Sequence, residues 1–231
     1  GEQTEEFMGG LQKFLGDIHE SLKSMVGGVE LRRPDKKFDL DGRNIAAKSK
    51  EDHELVAHAE SLLEEWCKQI DSYLEEEENS VFDNNDAGPM TELEYWRRRT
   101  QRLTSITEQL KTRECKMIIG VLSSLTKTPG DQNKQKVFSL LRRWKQIDTS
   151  ITEAANEAKD NVKYLYTLEK FIEPLYTGTP SSIIDTLPAL MNSIKLIHTI
   201  ARYYNTTERM TNLFVKITNQ MINTCKRFVS G

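Results

Sequence analysis

VFSLLRRWKQIDTSITEAANEAKDNVKYLYTLEKFI, residues 137–172, decides the fold. Its candidate core residues are Val137, Leu141, Trp144, Ile147 (or its neighbour Asp148), Ile151, Ala155, Ala158, Val162, Leu165, Leu168 and Ile172. They follow one another in steps of three and four, the spacing that lines one face of an α-helix. The pattern predicts a helix from about Asp131 to Ile172, closed by Glu173-Pro174. At 1.5 Å per residue such a helix is about 60 Å long, more than a compact globule of this size accommodates.

The same period recurs on both sides of this stretch, and clear alternating runs are absent. One apolar stripe carries Phe7, Leu11, Phe14, Ile18, Leu22 and Met25, ended by Gly27-Gly28; an irregular linker with Pro34 and Asp41-Gly42 follows, at most a short hairpin. A second helix is expected from about Ser49 to Glu77. Its acidic end opposes the helix dipole, and residues 79–88 are expected to be the most mobile loop. Gly88-Pro89 opens a third helix, with proline at the first helical position. Glu114 to Lys127 forms a fourth, ended by Thr128-Pro129-Gly130.

Thr179-Pro180 starts a sixth, in which Pro188 either makes a kink or marks the true start; its core face reads Leu187, Met191, Ile194, Ile197, Ala201 and Tyr204. Asn205-Thr206-Thr207-Glu208 reads as a capping box for a seventh, with Met210, Leu213, Phe214, Ile217, Met221, Cys225 and Phe228 inside. The expected fold is all-α: one or more elongated antiparallel helical bundles of about seven helices, one of them very long. Residues 1–47 read as an N-terminal helix and linker, and residues 48–231 as the bundle.

Composition narrows the function classes. Hydrophobic residues make up 37% and charged residues 29%, which suits exposed helices, and a net charge of −3 gives no bias toward nucleic acid or membrane. No stretch approaches the roughly 18 apolar residues of a membrane span. The acidic start without an initiator Met reads as a cut inside a longer chain. Three dispersed cysteines point to buried thiols in a reducing compartment. Asn205-Thr206-Thr207 matches a glycosylation sequon, with no secretory signal to support it.

No phosphate-binding glycine loop is present. His53 and His58 are five apart, diverge by about 140° on a helix and cannot share a metal ion; they read as surface histidines. The calcium-loop-like Lys37-Phe38-Asp39-Leu40-Asp41-Gly42 puts Lys37 and Lys48 where carboxylates are required. No catalytic, cofactor or metal site is therefore assigned. Arg97, Arg98, Arg99 and Arg102 beside Trp96 form a basic–aromatic corner, suited either to an acidic partner or to pairing with local acids such as Glu94. Trp66, Trp96 and Trp144 each sit on a stripe, as core residues or as interface anchors. Tyr203, Arg209 and Lys216 are further interface candidates, with packing of a helix corner as the plain alternative.

Three landmarks carry a family resemblance. Gly88-Pro89 with Glu92-x-x-x-Trp96 and the arginines behind it resembles a signature of the N-terminal tail of dynein heavy chains. Phe171-Ile172-Glu173-Pro174-Leu175-Tyr176 resembles the next landmark. Leu187-Pro188-Ala189-Leu190 precedes the third, Tyr203-Tyr204-Asn205-Thr206-Thr207-Glu208-Arg209-Met210, which continues through Lys216, Asn219-Gln220 and Cys225. Leu62-Leu63-x-x-Trp66-x-x-Gln69-Ile70 extends the match toward the N-terminus. The wording is most similar to axonemal, ciliary outer-arm chains of the gamma type, rather than cytoplasmic ones.

The resemblance implies a non-catalytic tail segment of a minus-end-directed microtubule motor whose AAA+ ATPase modules lie elsewhere. It implies no cofactor in this segment, and as partners dynein intermediate chains, other dynein heavy chains and light chains. It implies no nucleic acid, no membrane and no direct microtubule contact, with the protein in the cytoplasm and cytoskeleton, at the ciliary axoneme. The alternative is an unrelated helical scaffold, a spectrin-like or exocyst-like rod. A helical-bundle enzyme would need inward Glu and Glu-x-x-His pairs, and Asp17-Ile18-His19-Glu20 lacks partners.

Overall fold

The computed structural model describes residues 13–15, 18, 28–35, 38, 40, 43–80, 88–127 and 134–231, with the backbone alone over 76–80. The first apolar stripe, the calcium-loop-like residues, the acidic Asn-rich loop after residue 80 and Thr128-Pro129-Gly130 fall wholly or mostly outside the described residues. Among the described residues there are eight α-helices and no strand: α1 Ile45–Glu51, α2 His53–Ser80, α3 Pro89–Leu110, α4 Arg113–Thr126, α5 Lys134–Leu165, α6 Ile172–Thr177, α7 Pro180–Ile200 and α8 Thr207–Ser230. The all-α expectation holds. The chain divides into two compact units, one of Gly1–Ser72 and Gln101–Thr152, the other of Tyr73–Thr100 and Glu153–Gly231. Helices α2, α3 and α5 each contribute a part to both.

The boundaries show where local chemistry outweighs periodicity. The expected second helix is two helices. Asp52 ends α1, its N–H bonded to the Lys48 carbonyl at 2.9 Å, and its carboxylate accepts the Leu55 N–H at 3.0 Å as the cap of α2. Helix α2 then continues to Ser80, three residues past the expected end. The long helix does not close at Pro174. Residues 134–177 are helical without interruption for 44 residues, passing from α5 through a 3-10 segment, Tyr166–Phe171, into α6. Pro174 is the third residue of α6, in the turn that follows the 3-10 segment, an early position where proline is tolerated. The run ends at Gly178, where an added Cβ would lie 2.3 Å from the Pro174 carbonyl oxygen.

The seam on this run is Val137, Leu140, Trp144, Ile147, Ile151, Ala155, Ala158, Asn161, Leu165, Leu168, Phe171 and Leu175, all buried. It departs from the sequence reading at Leu140 in place of Leu141, Asn161 in place of Val162, and Phe171 in place of Ile172. Leu165, Leu168 and Phe171 stay in line through the 3-10 segment because its period is three.

In the first unit, Leu62, Leu63 and Ile70 of α2, Leu103 and Ile106 of α3, and Ile118 and Leu122 of α4 are core residues, all essentially inaccessible. Each such side chain contributes about 1.5–3 kcal/mol on burial. Trp66 and Trp144 meet at 6.1 Å between ring centroids, so both are core residues. Helix α1 lies on α4 beside Gly120, where a Cβ would touch Ile45 at an ordinary 3.5 Å.

In the stretch expected to be an irregular linker, the described residues before α1 form no helix or strand and are nonetheless held. Ser105 accepts from the Val29 N–H at 3.3 Å and donates to its carbonyl at 3.0 Å. Gln109 accepts the Leu31 N–H at 2.8 Å, Gln69 accepts the Arg32 N–H at 3.0 Å, and Trp66 Nε1 donates to the Arg32 carbonyl at 2.7 Å. Side chains thus replace the ladder that an extended segment lacks, and Val29, Leu31, Phe38 and Leu40 are buried. His58 is not a plain surface histidine: it is half-buried and stacks on Phe38 at 5.5 Å and 7°.

Cys67, Cys115 and Cys225 are all free thiols; the first two are buried and the third is partly exposed. No described helix is long and apolar enough to cross a membrane.

Candidate functional site

The second unit brings the three landmarks to one place. Helix α3 begins at Pro89, with the Thr91 and Glu92 N–H groups reaching the Gly88 carbonyl at 3.1 and 3.4 Å. A Cβ on Gly88 would lie 2.1 Å from the Tyr176 hydroxyl and 2.9 Å from Gln220 Oε1, so any larger residue forces those side chains to shift. The Met90 N–H, an orphan of the first helical turn, donates to the Tyr176 hydroxyl at 3.2 Å.

The last turn of α6 is completed from α8. The Thr224 hydroxyl donates to the Leu175 carbonyl at 2.6 Å, Gln220 Nε2 approaches the same oxygen at 3.5 Å, and Arg227 donates to the Tyr176 carbonyl at 3.1 Å. Positions 220, 224 and 227 share one face of a helix, so one stripe of α8 caps α6. The cap is an inter-helix device that no local motif announces.

Beside it lies a buried polar chain. Glu92 and Trp96, four apart on α3, face the same way. Trp96 Nε1 donates to the Tyr204 hydroxyl at 2.7 Å, and that hydroxyl donates to Glu92 Oε1 at 2.6 Å. Lys216 Nζ reaches Glu92 Oε2 at 2.6 Å, with the two side chains 12% and 6% exposed. A buried carboxylate is tolerable because both its oxygens are bonded and its charge is matched. Burial, then the neighbouring Glu92, holds the Tyr204 hydroxyl well above the ordinary tyrosine range. Burial also pushes Tyr203 up to about 12. The Tyr203 ring stands edge-on to Trp96 at 4.7 Å and to Tyr204 at 4.9 Å, and Arg209 covers it at 4.1 Å. His198 Nδ1 meets the Tyr204 carbonyl at 3.0 Å.

The sequence-derived candidates therefore fall into different surroundings. Trp96, Tyr203 and Lys216 belong to this interior cluster, Arg99 is buried, and Arg209 is half-buried over Tyr203. Arg97 and Arg98 are exposed, and Arg97 pairs with Glu169 at 3.2 Å. Arg102 lies in the other unit, half-buried and with an interaction of its own. Glu92 and Tyr204, central to the cluster, were not among the candidates, although both lie inside the quoted landmarks. Helix α8 is capped by Thr206, whose hydroxyl accepts the Arg209 N–H at 3.4 Å; the expected cap, Asn205, is in a short 3-10 turn. Met191, Phe214 and Phe228, expected inside, are exposed by 36%, 41% and 57%. Pro188 lies within α7, which begins at Pro180 as the Thr179 cap requires.

Among the described residues no group of three or more His, Cys, Asp or Glu side chains is placed to hold a metal ion. The Tyr204 hydroxyl, the Glu92 carboxylate and the Lys216 amine are engaged with one another. What the arrangement does physically is hold α3, α6, α7 and α8 in register.

Residues 56–231 match the family model described as dynein heavy chain, N-terminal region 1. The chain is 42% identical over 230 residues, 97% of its length, to the dynein gamma chain of the flagellar outer arm from Chlamydomonas reinhardtii. It is 38% identical over 229 residues, again 97% of its length, to mouse dynein axonemal heavy chain 8. It is 34% identical over 216 residues, 94% of its length, to the dynein-1-alpha heavy chain of the flagellar inner arm I1 complex from Chlamydomonas reinhardtii. It spans 5%, 4% and 4% of these relatives' own lengths. With the match covering most of the chain and all three landmarks, this protein segment belongs to the dynein heavy chain N-terminal region 1 family.

Proposed function

We propose that this segment is part of the non-catalytic tail of an axonemal dynein heavy chain, a minus-end-directed microtubule motor. It scaffolds intermediate chains and neighbouring heavy chains, with light chains as further partners, and so anchors the motor in the ciliary axoneme. The observation that carries this reading is the identity of 38–42% to axonemal heavy chains across almost the whole chain. Helical elements tied together by the buried Trp96–Tyr204–Glu92–Lys216 chain suit a scaffold, since rigid elements present a fixed outer surface. The ATPase modules belong to the remainder of the heavy chain, and the segment itself needs no cofactor.

Within this reading the exposed arginines of α3, Arg97 and Arg98, are the outward members of the basic–aromatic corner and the contact to an acidic partner surface. Charge reversal at both, Arg97→Glu with Arg98→Glu, in the full-length heavy chain lowers the intermediate chains recovered per heavy chain. The Arg97–Glu169 pair is exposed and contributes at most about 1 kcal/mol, so folding is preserved. Unchanged recovery at physiological salt, with an unchanged melting temperature, refutes the role of this corner.

A further inference from the structure

The first turns of α5 are basic throughout. Lys134, Lys136, Arg142, Arg143 and Lys145 precede its first acid, Asp148. Two of these cations are matched from α2: Lys136 by Glu60 and Glu64 at 3.7 and 3.6 Å, and Arg143 by Asp71 at 2.9 Å. Arg142 and Lys145 instead lie on an exposed row, Phe138, Arg142, Lys145 and Thr149, in steps of four and three. Phe138 is 49% exposed, with Lys134 Nζ 6.0 Å above its ring. The Thr149 hydroxyl already donates to the Lys145 carbonyl at 2.9 Å, so covering the row strands no donor there. Cations near a helix N-terminus also oppose the macrodipole, and an anionic neighbour would offset both.

The chain itself holds the complement of this row. Residues 1–25 carry five acids, Glu2, Glu5, Glu6, Asp17 and Glu20, against Lys13 and Lys23, beside the apolar stripe from Phe7 to Met25. Phe14, Leu15 and Ile18 are helical and exposed by 60%, 56% and 41%. This segment and the basic half of α5 belong to the same compact unit. Its tether is fixed close by. Val29 is held by Ser105, and Arg32 by Gln69 and Trp66, whose ring meets Trp144 of α5 at 6.1 Å. The row therefore lies about one helix diameter, roughly 10 Å, from the anchored strap, and residues 14–25 span roughly 18 Å as a helix. A tethered segment acts at millimolar effective concentration, so it needs less contact than the about 800 Å² per side of a separate chain.

We propose that the acidic amphipathic segment of residues 1–25 docks along the exposed row of α5. Phe138 is its apolar contact, and Arg142 and Lys145 are the charge partners of Asp17 and Glu20, the acids nearest the tether. Docking draws on charge and tethering within the first unit and needs no partner chain, so its failure leaves the scaffold reading intact.

The test places a photo-crosslinking benzoylphenylalanine at Phe138 in the full-length heavy chain purified with its subunits. The expected product keeps the mass of a single heavy chain and maps to residues 1–25, at Phe14, Ile18 or their neighbours. Arg142→Glu with Lys145→Glu should lower its yield several-fold, and adding Asp17→Lys with Glu20→Lys should restore it. The reversed charges suit the helix N-terminus, so α5 is not weakened by them. A product joined to an intermediate chain or a second heavy chain, or one mapping outside residues 1–25, would overturn the proposal. So would a yield indifferent to charge reversal, or no product where the same probe at buried Phe171 does react.

Discussion

Gly88 and Lys216 show how much rests on single side chains. Gly88→Ala drives a methyl group into the Tyr176 hydroxyl, and overpacking of this kind costs about 1–3 kcal/mol. Tyr176→Phe removes the nearest atom, so the alanine should cost less in that background. A double-mutant cycle by urea unfolding reads this coupling, and strict additivity would refute the contact. Lys216→Met leaves the Glu92 carboxylate buried without its charge partner, and breaking such a pair costs about 3–5 kcal/mol. Adding Glu92→Gln should recover part of the loss, because the unpaired charge is then gone. At this scale the sequence was informative about residue type and silent about partners. Trp96 and Tyr203 stand out as aromatics beside arginines, yet Tyr204 bonds Glu92 from 112 positions away. No local pattern carries that distance. The i,i+4 spacing of Glu92 and Trp96 was the available sign that the pair faces one way.

At the scale of the element, periodicity identified the helices and local chemistry set their limits. The long helix was legible because its seam persists for eleven turns or so at 3.6 residues each. Its errors are single-position ones: a hydrophobic count prefers Val162 to Asn161 and cannot choose between Leu140 and Leu141. Pro174 was read as a stop because proline ends helices, whereas here it stands in a first turn. Phe214 and Phe228 were placed inside because their spacing continues the stripe of Met210, Leu213 and Ile217, whereas the structure leaves them 41% and 57% exposed. The cap of α8 yields a direct check. Thr206→Ala should cost about 1 kcal/mol, the usual value of an N-cap hydroxyl. Asn205→Ala should cost clearly less. Thermal unfolding of the two variants decides it, and the reverse order would restore the Asn205 assignment.

Across the whole molecule the buried acids that stay protonated make stability depend on alkaline pH. Burial raises Cys67 to about 11 and Cys115 to about 12 in the first unit, and Tyr203 to about 12 in the second. In the unfolded chain these groups ionise near 9 and 10. Their folded values are raised, so their contribution is complete below about pH 9 and is lost as pH climbs toward 12. Each group removes at most about 1.4 kcal/mol per pH unit in its window. The melting temperature should therefore fall steadily from pH 9 to 11.5, with a delayed tyrosinate step that disappears in Tyr203→Phe with Tyr204→Phe. A flat profile would contradict the burial of these groups.

The fold class and the family landmarks were legible at this scale because amphipathic helices repeat one simple pattern and the three landmarks stand in order along the chain. The division into two units was not, because α2, α3 and α5 pass through it without a break in periodicity. The most direct test of a non-catalytic scaffolding tail is deletion of residues 56–231 from the full-length heavy chain, with ATPase activity and bound intermediate chains measured on the same preparation. Microtubule-stimulated ATPase should persist while intermediate chains are lost; retention of intermediate chains, or loss of ATPase from an otherwise folded motor, would contradict it.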